Sequence, residues 1–282
     1  MKFGTMLYST DYAMRPDDFA VASEDRGFDS VWFPEHTHIP ASRRTPFPGG
    51  GDLPQEYWHI HDPFIALTAA AIATKTIKVA TGVCLITERD PIVTAKEVAS
   101  LDLLSRGRFL FGIGAGWNAE EMENHGTAFA DRWKVLEERI EAMKACWTQE
   151  NSSYHGKHVD FDAIWSWPKP VQKPHPPIIM GAASPWGRER VARYCDGWVP
   201  LPAQMKNIAA EIADLEERLK RHGRQLSDIE ISFFWAPTNV DELKRYRDLG
   251  VHRVILACPA DGNEATLKLL DQHAALMKAV GN

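Results

Sequence analysis

Apolar positions along this chain keep two alternating rhythms. Short dense runs rich in valine, isoleucine and phenylalanine alternate with longer stretches in which apolar residues return every three or four positions, the pattern of strands alternating with amphipathic helices. The dense runs are Lys2 to Ser9, Ser30 to Pro34, Ile77 to Leu85, Gly107 to Ile113, Pro177 to Gly181, Gly197 to Leu201, Ile229 to Trp235 and Val251 to Cys258. Between them, helices are expected over Pro16–Arg26, Asp62 to about Lys75, Asp90–Leu104, Glu120–Trp147, Pro185–Cys195, Lys206–Arg221, Val240–Leu249 and Glu264–Ala279. Asp62-Pro63 and Asp90-Pro91 each combine an N-cap carboxylate with a proline at the first helical position. Leu136, Ile140, Met143 and Trp147 share one helical face, as do Ile208, Ile212, Leu215 and Leu219.

Eight strands, each followed by a helix, predict an α/β fold, a (β/α)8 TIM barrel, in which parallel strands buried on both faces need crossover helices. A doubly wound sheet is the alternative. Two stretches interrupt the alternation. Glu35 to His61 holds four prolines and three successive glycines, too long for a mere connector. Residues 148 to 177 are rich in proline and read as an insertion over one end of a single domain spanning 1–282, near the C-terminal face.

The length of 282 residues suits one barrel, and 44% hydrophobic with 25% charged residues is ordinary for a globular chain. The net charge of -6 argues against nucleic acid or an anionic membrane as general partner. Cys84, Cys146, Cys195 and Cys258 show no paired spacing, no run reaches the roughly 18 apolar residues of a membrane span, and the N-terminus enters a strand at once. Together these predict a cytoplasmic protein.

In such a barrel chemistry gathers just after each strand. After the second strand stand Glu35, His36 and His38, and a carboxylate beside an imidazole is a general acid/base pair in prospect. A metal site using His36, His38, His59, His61 and Asp62 is the weaker reading, so no metal is assigned. Thr81-Gly82-Val83 puts glycine inside a strand, the mark of a bulge or a close backbone approach. Gly114, Ala115 and Gly116 form a glycine turn, but a dinucleotide fingerprint would need glycine where Trp117 stands. Gly181, Ala182, Ala183 and Ser184 lead straight into a helix, a seat for phosphate; Arg188 and Arg190 either assist it or are solvated. Trp117, Trp165 and Trp167 are expected to wall a flat ligand at the same end, with His38 beside the substrate.

The segments GFDSVWFPEH, ATKTIKVATGVCL, RDPIVTAKEVASLDLLSRGRFLFGIGAGW and GAASPWGRERVARYCDGW, in this order, resemble the bacterial luciferase-like monooxygenase superfamily, most nearly its branch of coenzyme F420-dependent oxidoreductases. The resemblance covers nearly the whole chain. It implies coenzyme F420, or alternatively FMN, in the barrel mouth. The ring would be backed by Gly82-Val83, often a cis peptide in such proteins, with the turn Gly114 to Gly116 beside it and phosphate at Gly181 to Ser184. His36 matches the histidine that contacts the cofactor or handles a proton, and Glu35 its acidic neighbour. The resemblance further implies a small-molecule substrate, a homodimer and, in the FMN case of a two-component monooxygenase, a separate reductase. A non-catalytic flavin-binding protein is a third reading. Where the sugar-phosphate dehydrogenases of the superfamily carry an acid after the glycine turn and a tryptophan in the loop after the second strand, this chain has Trp117 and Pro40. An apolar or aromatic substrate is expected instead.

Overall fold

In the computed structural model, which describes residues 1–281, the dense runs become strands β1 (Lys2–Leu7), β2 (Ser30–Phe33), β3 (Lys78–Thr81), β4 (Phe109–Gly114), β5 (Ile178–Met180), β6 (Gly197–Trp198), β7 (Glu230–Phe234) and β8 (Arg253–Cys258). Each pairs in parallel with the next, and β8 returns to β1 through Lys2↔Arg253 to Leu7↔Cys258, closing the barrel. Closure demands a very close approach of β3 to β4. A Cβ on Gly112 would stand 2.0 Å from the Thr81 carbonyl oxygen, so only glycine fits there.

The helices are α1 (Pro16–Asp25), α2 (Pro63–Ala73), α3 (Pro91–Leu104), α4 (Ala119–Asn124), α5 (Arg132–Thr148), α6 (Pro185–Tyr194), α7 (Ile208–Arg221), α8 (Val240–Asp248) and α9 (Gly262–Val280). Both aspartate–proline starts behave as caps. Asp62 accepts from the Phe64 and Ile65 amides, and Asp90 from those of Ile92 and Val93. Apolar side chains divide into two layers. The larger lies between strands and helices, while Met6, Trp32, Ala80, Leu110, Ile179, Val199, Phe234 and Ile255 fill the barrel interior. At the N-terminal end the fully buried Arg253 closes the interior, paired with Asp29 and Glu230.

One expectation is refined and one needs correction. The stretch from Glu120 to Trp147 is largely helical as expected, but it comes as two helices, α4 and α5, because Gly126 turns the chain at φ +76° between them. The insertion comes near the C-terminal face only at its tip. A helix-to-strand connection begins and ends at the strands' N-terminal side, so the hairpin of Ser152–His155 and Asp160–Ile164 climbs the outside of α5. Glu138 of α5 accepts from the His158 and Val159 amides. Trp165 and Trp167 stay outside, 80% and 55% exposed, and wall no ligand in the mouth.

Candidate active site

At the C-terminal ends of the strands lies a cavity of about 210 Å³, mostly apolar, lined by Tyr8, His36, Tyr57, Gly82, Val83, Trp117, Gly181, Phe234 and Trp235 among others. Depressions of about 560 and 550 Å³ open beside it, with Trp235 bordering all three. Trp235 holds φ +55°, a left-handed conformation unusual for so bulky a residue.

One wall is built from strand irregularity. The strand run from Ile77 is interrupted after Thr81; the Gly82-Val83 peptide is cis, and Cys84–Leu85 resumes pairing with β4. The Val83 side chain lies between two glycines. A Cβ on Gly114 would come within 2.7 Å of its Cγ2, and one on Gly181 within 2.9 Å of its Cγ1. Thr81 faces away from the mouth; its hydroxyl donates to the Gly112 carbonyl at 2.7 Å. The Ala115 carbonyl accepts from the Thr87 hydroxyl, and Gly116 turns at φ +74° over the Glu88 carboxyl.

Beyond Gly181 the small turn runs into α6, where Ser184 accepts from the Gly187 amide. The Ala182 carbonyl accepts from the Trp198 indole and the Ala183 carbonyl from Arg188. Arg188 is buried and spent on Glu211 and Asp214, so it shapes the turn instead of reaching a ligand. Arg190 stacks on Trp133 at 4.4 Å.

The opposite wall carries His36. Its ring stands 5.4 Å from Tyr57 and 5.8 Å from Trp117, and its Nδ1 lies 2.8 and 3.0 Å from the two carboxyl oxygens of Glu121. That leaves Nε2 as the nitrogen available to the mouth. Burial lowers the imidazole pKa to about 4 against a smaller opposing pull from Glu35, so His36 is neutral in ordinary buffers. Phe47 of the long loop packs on Tyr57 and Trp117. The loop is tied down at Arg44 and Thr45, whose amides donate to Glu120 at 2.7 and 2.6 Å.

Besides Thr81, two expected site residues have other partners, although Glu35 still borders the cavity. Glu35 does not orient His36: successive side chains on an extended segment point to opposite sides. The Glu35 carboxylate therefore accepts from the Leu85 amide at 2.6 Å and from Arg89 at 2.5 Å. His38 lies outside the cavity, its Nε2 2.9 Å from the Asn124 amide nitrogen and its ring against His125. The partner of His36 is instead Glu121, in the first turn of α4, where a carboxylate reads from sequence as ordinary helix-start chemistry. Glu88, Tyr8, Tyr57 and Trp235 were missed as well. The one available signal was position, each standing shortly after a strand or in the long loop. Among the described residues, no three histidine, cysteine or acidic side chains gather as metal ligands, and no helix is long and apolar enough to cross a membrane.

A family model described as luciferase-like monooxygenase matches residues 3–255. An uncharacterised protein of Mycobacterium tuberculosis is 39% identical over 282 residues, covering 98% of each chain. The F420-dependent glucose-6-phosphate dehydrogenase of Kineococcus radiotolerans is 26% identical over 251 residues, 79% of this chain and 68% of that one. A crystal structure of a monooxygenase from Streptomyces bottropensis shares the fold at TM-score 0.78 and 18% identity, over 99% of both chains.

Proposed function

Because the chain belongs to the luciferase-like monooxygenase family, whose members are oxidoreductases and monooxygenases, we propose that it is a coenzyme F420-dependent oxidoreductase acting on a small, uncharged organic substrate. The observation that carries this reading is a flat apolar platform, Val83 between Gly114 and Gly181, in one cavity with a neutral His36. The residues suit a deazaflavin. The glycines leave room for the Val83 side chain itself, which borders the cavity as an apolar surface for a ring, and the turn Ala182–Ser184 with the first-turn amides of α6 suits its phosphate. When bound, the deazaflavin supplies the hydride donor or acceptor at its C5. The named dehydrogenase relative supports the choice of cofactor.

The chain's own part is position and proton handling. Tyr57, Trp117 and Phe47 exclude water above the platform and orient a flat substrate. His36 Nε2 meets the substrate oxygen, gives it a proton as a carbonyl is reduced, or takes one as an alcohol is oxidised. Trp117 in place of an acid, and Pro40 in place of a tryptophan, separate this site from those of sugar-phosphate dehydrogenases.

Side-by-side fluorescence titration of the cofactor-free protein with coenzyme F420 and FMN tests the assignment. The expected result is tight binding of the deazaflavin alone. Preference for FMN replaces it with a two-component monooxygenase served by a separate reductase, and binding of neither removes it.

We also propose that the chain pairs with a second copy through α2 and α3. Ile65 and Ile72 of α2, and Val93, Leu103 and Leu104 of α3, form an outward apolar face on adjacent helices, with Ile65 71% exposed. Ile65→Glu combined with Ile72→Glu is expected to halve the mass measured by sedimentation equilibrium. A wild-type protein already monomeric at micromolar concentration overturns the pairing.

A further inference from the structure

Outside the mouth, a second cavity of about 400 Å³ opens on the flank of the barrel, between the start of α3, α5 and the tip of the hairpin. Its lining is polar: Glu88, Asp90, His125, Arg139, His158 and Asp160 all reach it. Arg139 Nε and His158 Nε2 are buried with no hydrogen-bond partner among the described residues, and the equally buried carboxyl oxygens of Glu88 find none except a shared proton with Glu121. A pocket with so polar a lining is suited to water.

Glu88 is only 8% exposed and lies on the inner wall of this cavity, beneath Gly116. Its immediate neighbour inward is Glu121, which is fully buried and bonded to His36 Nδ1. His36 in turn lines the mouth. Three titratable groups thus link the two cavities: His36 lines the mouth, Glu88 the flank cavity, and Glu121 stands between them.

We propose that Glu88 and Glu121 form a proton relay joining His36 to the flank cavity, so that the proton exchanged with a substrate reaches solvent while the mouth is closed. The relay rests on the reading of His36 as the proton-handling group. In the delivering direction, His36 gives its Nε2 proton to the substrate while Nδ1 takes the proton of Glu121. Glu88 reprotonates Glu121, and water in the flank cavity, drawing on solvent hydronium, reprotonates Glu88. One proton enters for each one delivered. A flip of the His36 ring, which exchanges its two nitrogens, restores a protonated nitrogen at the mouth and an acceptor toward Glu121. No electrons move and no charge stays buried. Withdrawal is the same sequence reversed.

The surroundings agree. Burial pushes the Glu88 carboxyl pKa up, and the negative charges of Glu121 and Glu35 add to this against the pull of Arg89. Burial likewise pushes Glu121 up, with Glu35 adding and a bond from Glu88 opposing. Both therefore hold protons in neutral buffer, as a relay in its resting state requires. On the cavity side Glu88 faces His125, Arg139, His158, Asp90 and Asp160.

The test follows deuteration of the protonated Glu121 carboxyl by its infrared C=O band after transfer to D2O, the band being assigned by its loss in Glu121→Gln. In His36→Phe an apolar ring blocks the mouth route, so the cofactor-free protein exchanges through the flank alone. Exchange is expected to stay fast in His36→Phe and to slow about tenfold or more in His36→Phe with Glu88→Gln. Equal rates in those two, or no protonated carboxyl band at neutral pH, overturn the relay. If the double variant does not fold, Asp160→Trp at the exposed hairpin caps the flank cavity in an otherwise native chain. With the mouth sealed by F420 or FMN it should slow exchange likewise, and an unchanged rate overturns the proposal. The first measurement contains no cofactor, so failure of the cofactor assignment leaves it standing.

Discussion

Replacing His36 with alanine is expected to lower turnover by about 100- to 10,000-fold, the usual worth of a positioned acid–base group, while F420 still binds with near-native affinity. The proposed cofactor platform is Val83 with Gly114 and Gly181, and His36 stands on the opposite wall, so its removal leaves the platform intact. His36→Asn keeps a neutral polar group but cannot pass a proton between two ring nitrogens, and should be nearly as slow as alanine. The pH dependence has a definite sign. A free imidazole changes charge near pH 6.5, whereas burial holds His36 neutral down to about pH 4. The wild-type rate should therefore not fall between about pH 7 and pH 5 through protonation of this residue. Steady-state kinetics across that range, on any substrate found by screening carbonyl compounds and alcohols, reads both effects. Normal turnover by a cofactor-binding His36→Ala protein would remove the residue from the chemistry.

The architecture was legible because its signals are local. Asp62-Pro63 and Asp90-Pro91 announce helix starts within two residues, and β4 is apolar throughout because a barrel strand is buried on both faces. Gly82 inside a strand is by itself the mark of an irregular backbone. What escaped was direction and long-range pairing. His36 meets Glu121 across 85 positions, and nothing near either residue specifies the other. Glu35 adjoins His36 in sequence yet turns to Leu85 and Arg89, since adjacency in an extended segment separates side chains. Trp165 and Trp167 carry the same residue type as Trp117 but sit in a connection that starts at the wrong end of the barrel to reach the mouth. The break before α5 was hidden for a related reason, the apolar face of Leu136, Ile140, Met143 and Trp147 being genuine while the backbone upstream turned on one glycine.

Arg89→Met is expected to destabilise the protein by about 3–5 kcal/mol, the cost of leaving a buried charge without its partner. The guanidinium is 12% exposed and meets three carboxylates from three elements: Glu35 at 2.5 Å, Asp62 at 2.6 Å and Glu97 at 2.9 Å. It also lies 4.8 Å over the Phe64 ring. Asp62 caps α2, Glu97 belongs to α3, and Glu35 follows β2, so one side chain ties together the segments that carry the cap, the bulge and His36. Methionine retains most of the apolar stem, which confines the loss to charge and hydrogen bonds. Glu35 would then remain 4% exposed beside Glu97 and Glu88, holding only the Leu85 amide. Adding Glu35→Gln should recover part of the loss, because the amide needs no counter-charge. Urea denaturation of the two single variants and the double variant measures that coupling. Simple additivity would mean that Arg89 acts by packing alone. A recovery would place the Glu35–Arg89 pair beneath the catalytic wall as its support, and the single Arg89 variant should then lose turnover at temperatures where it is still folded.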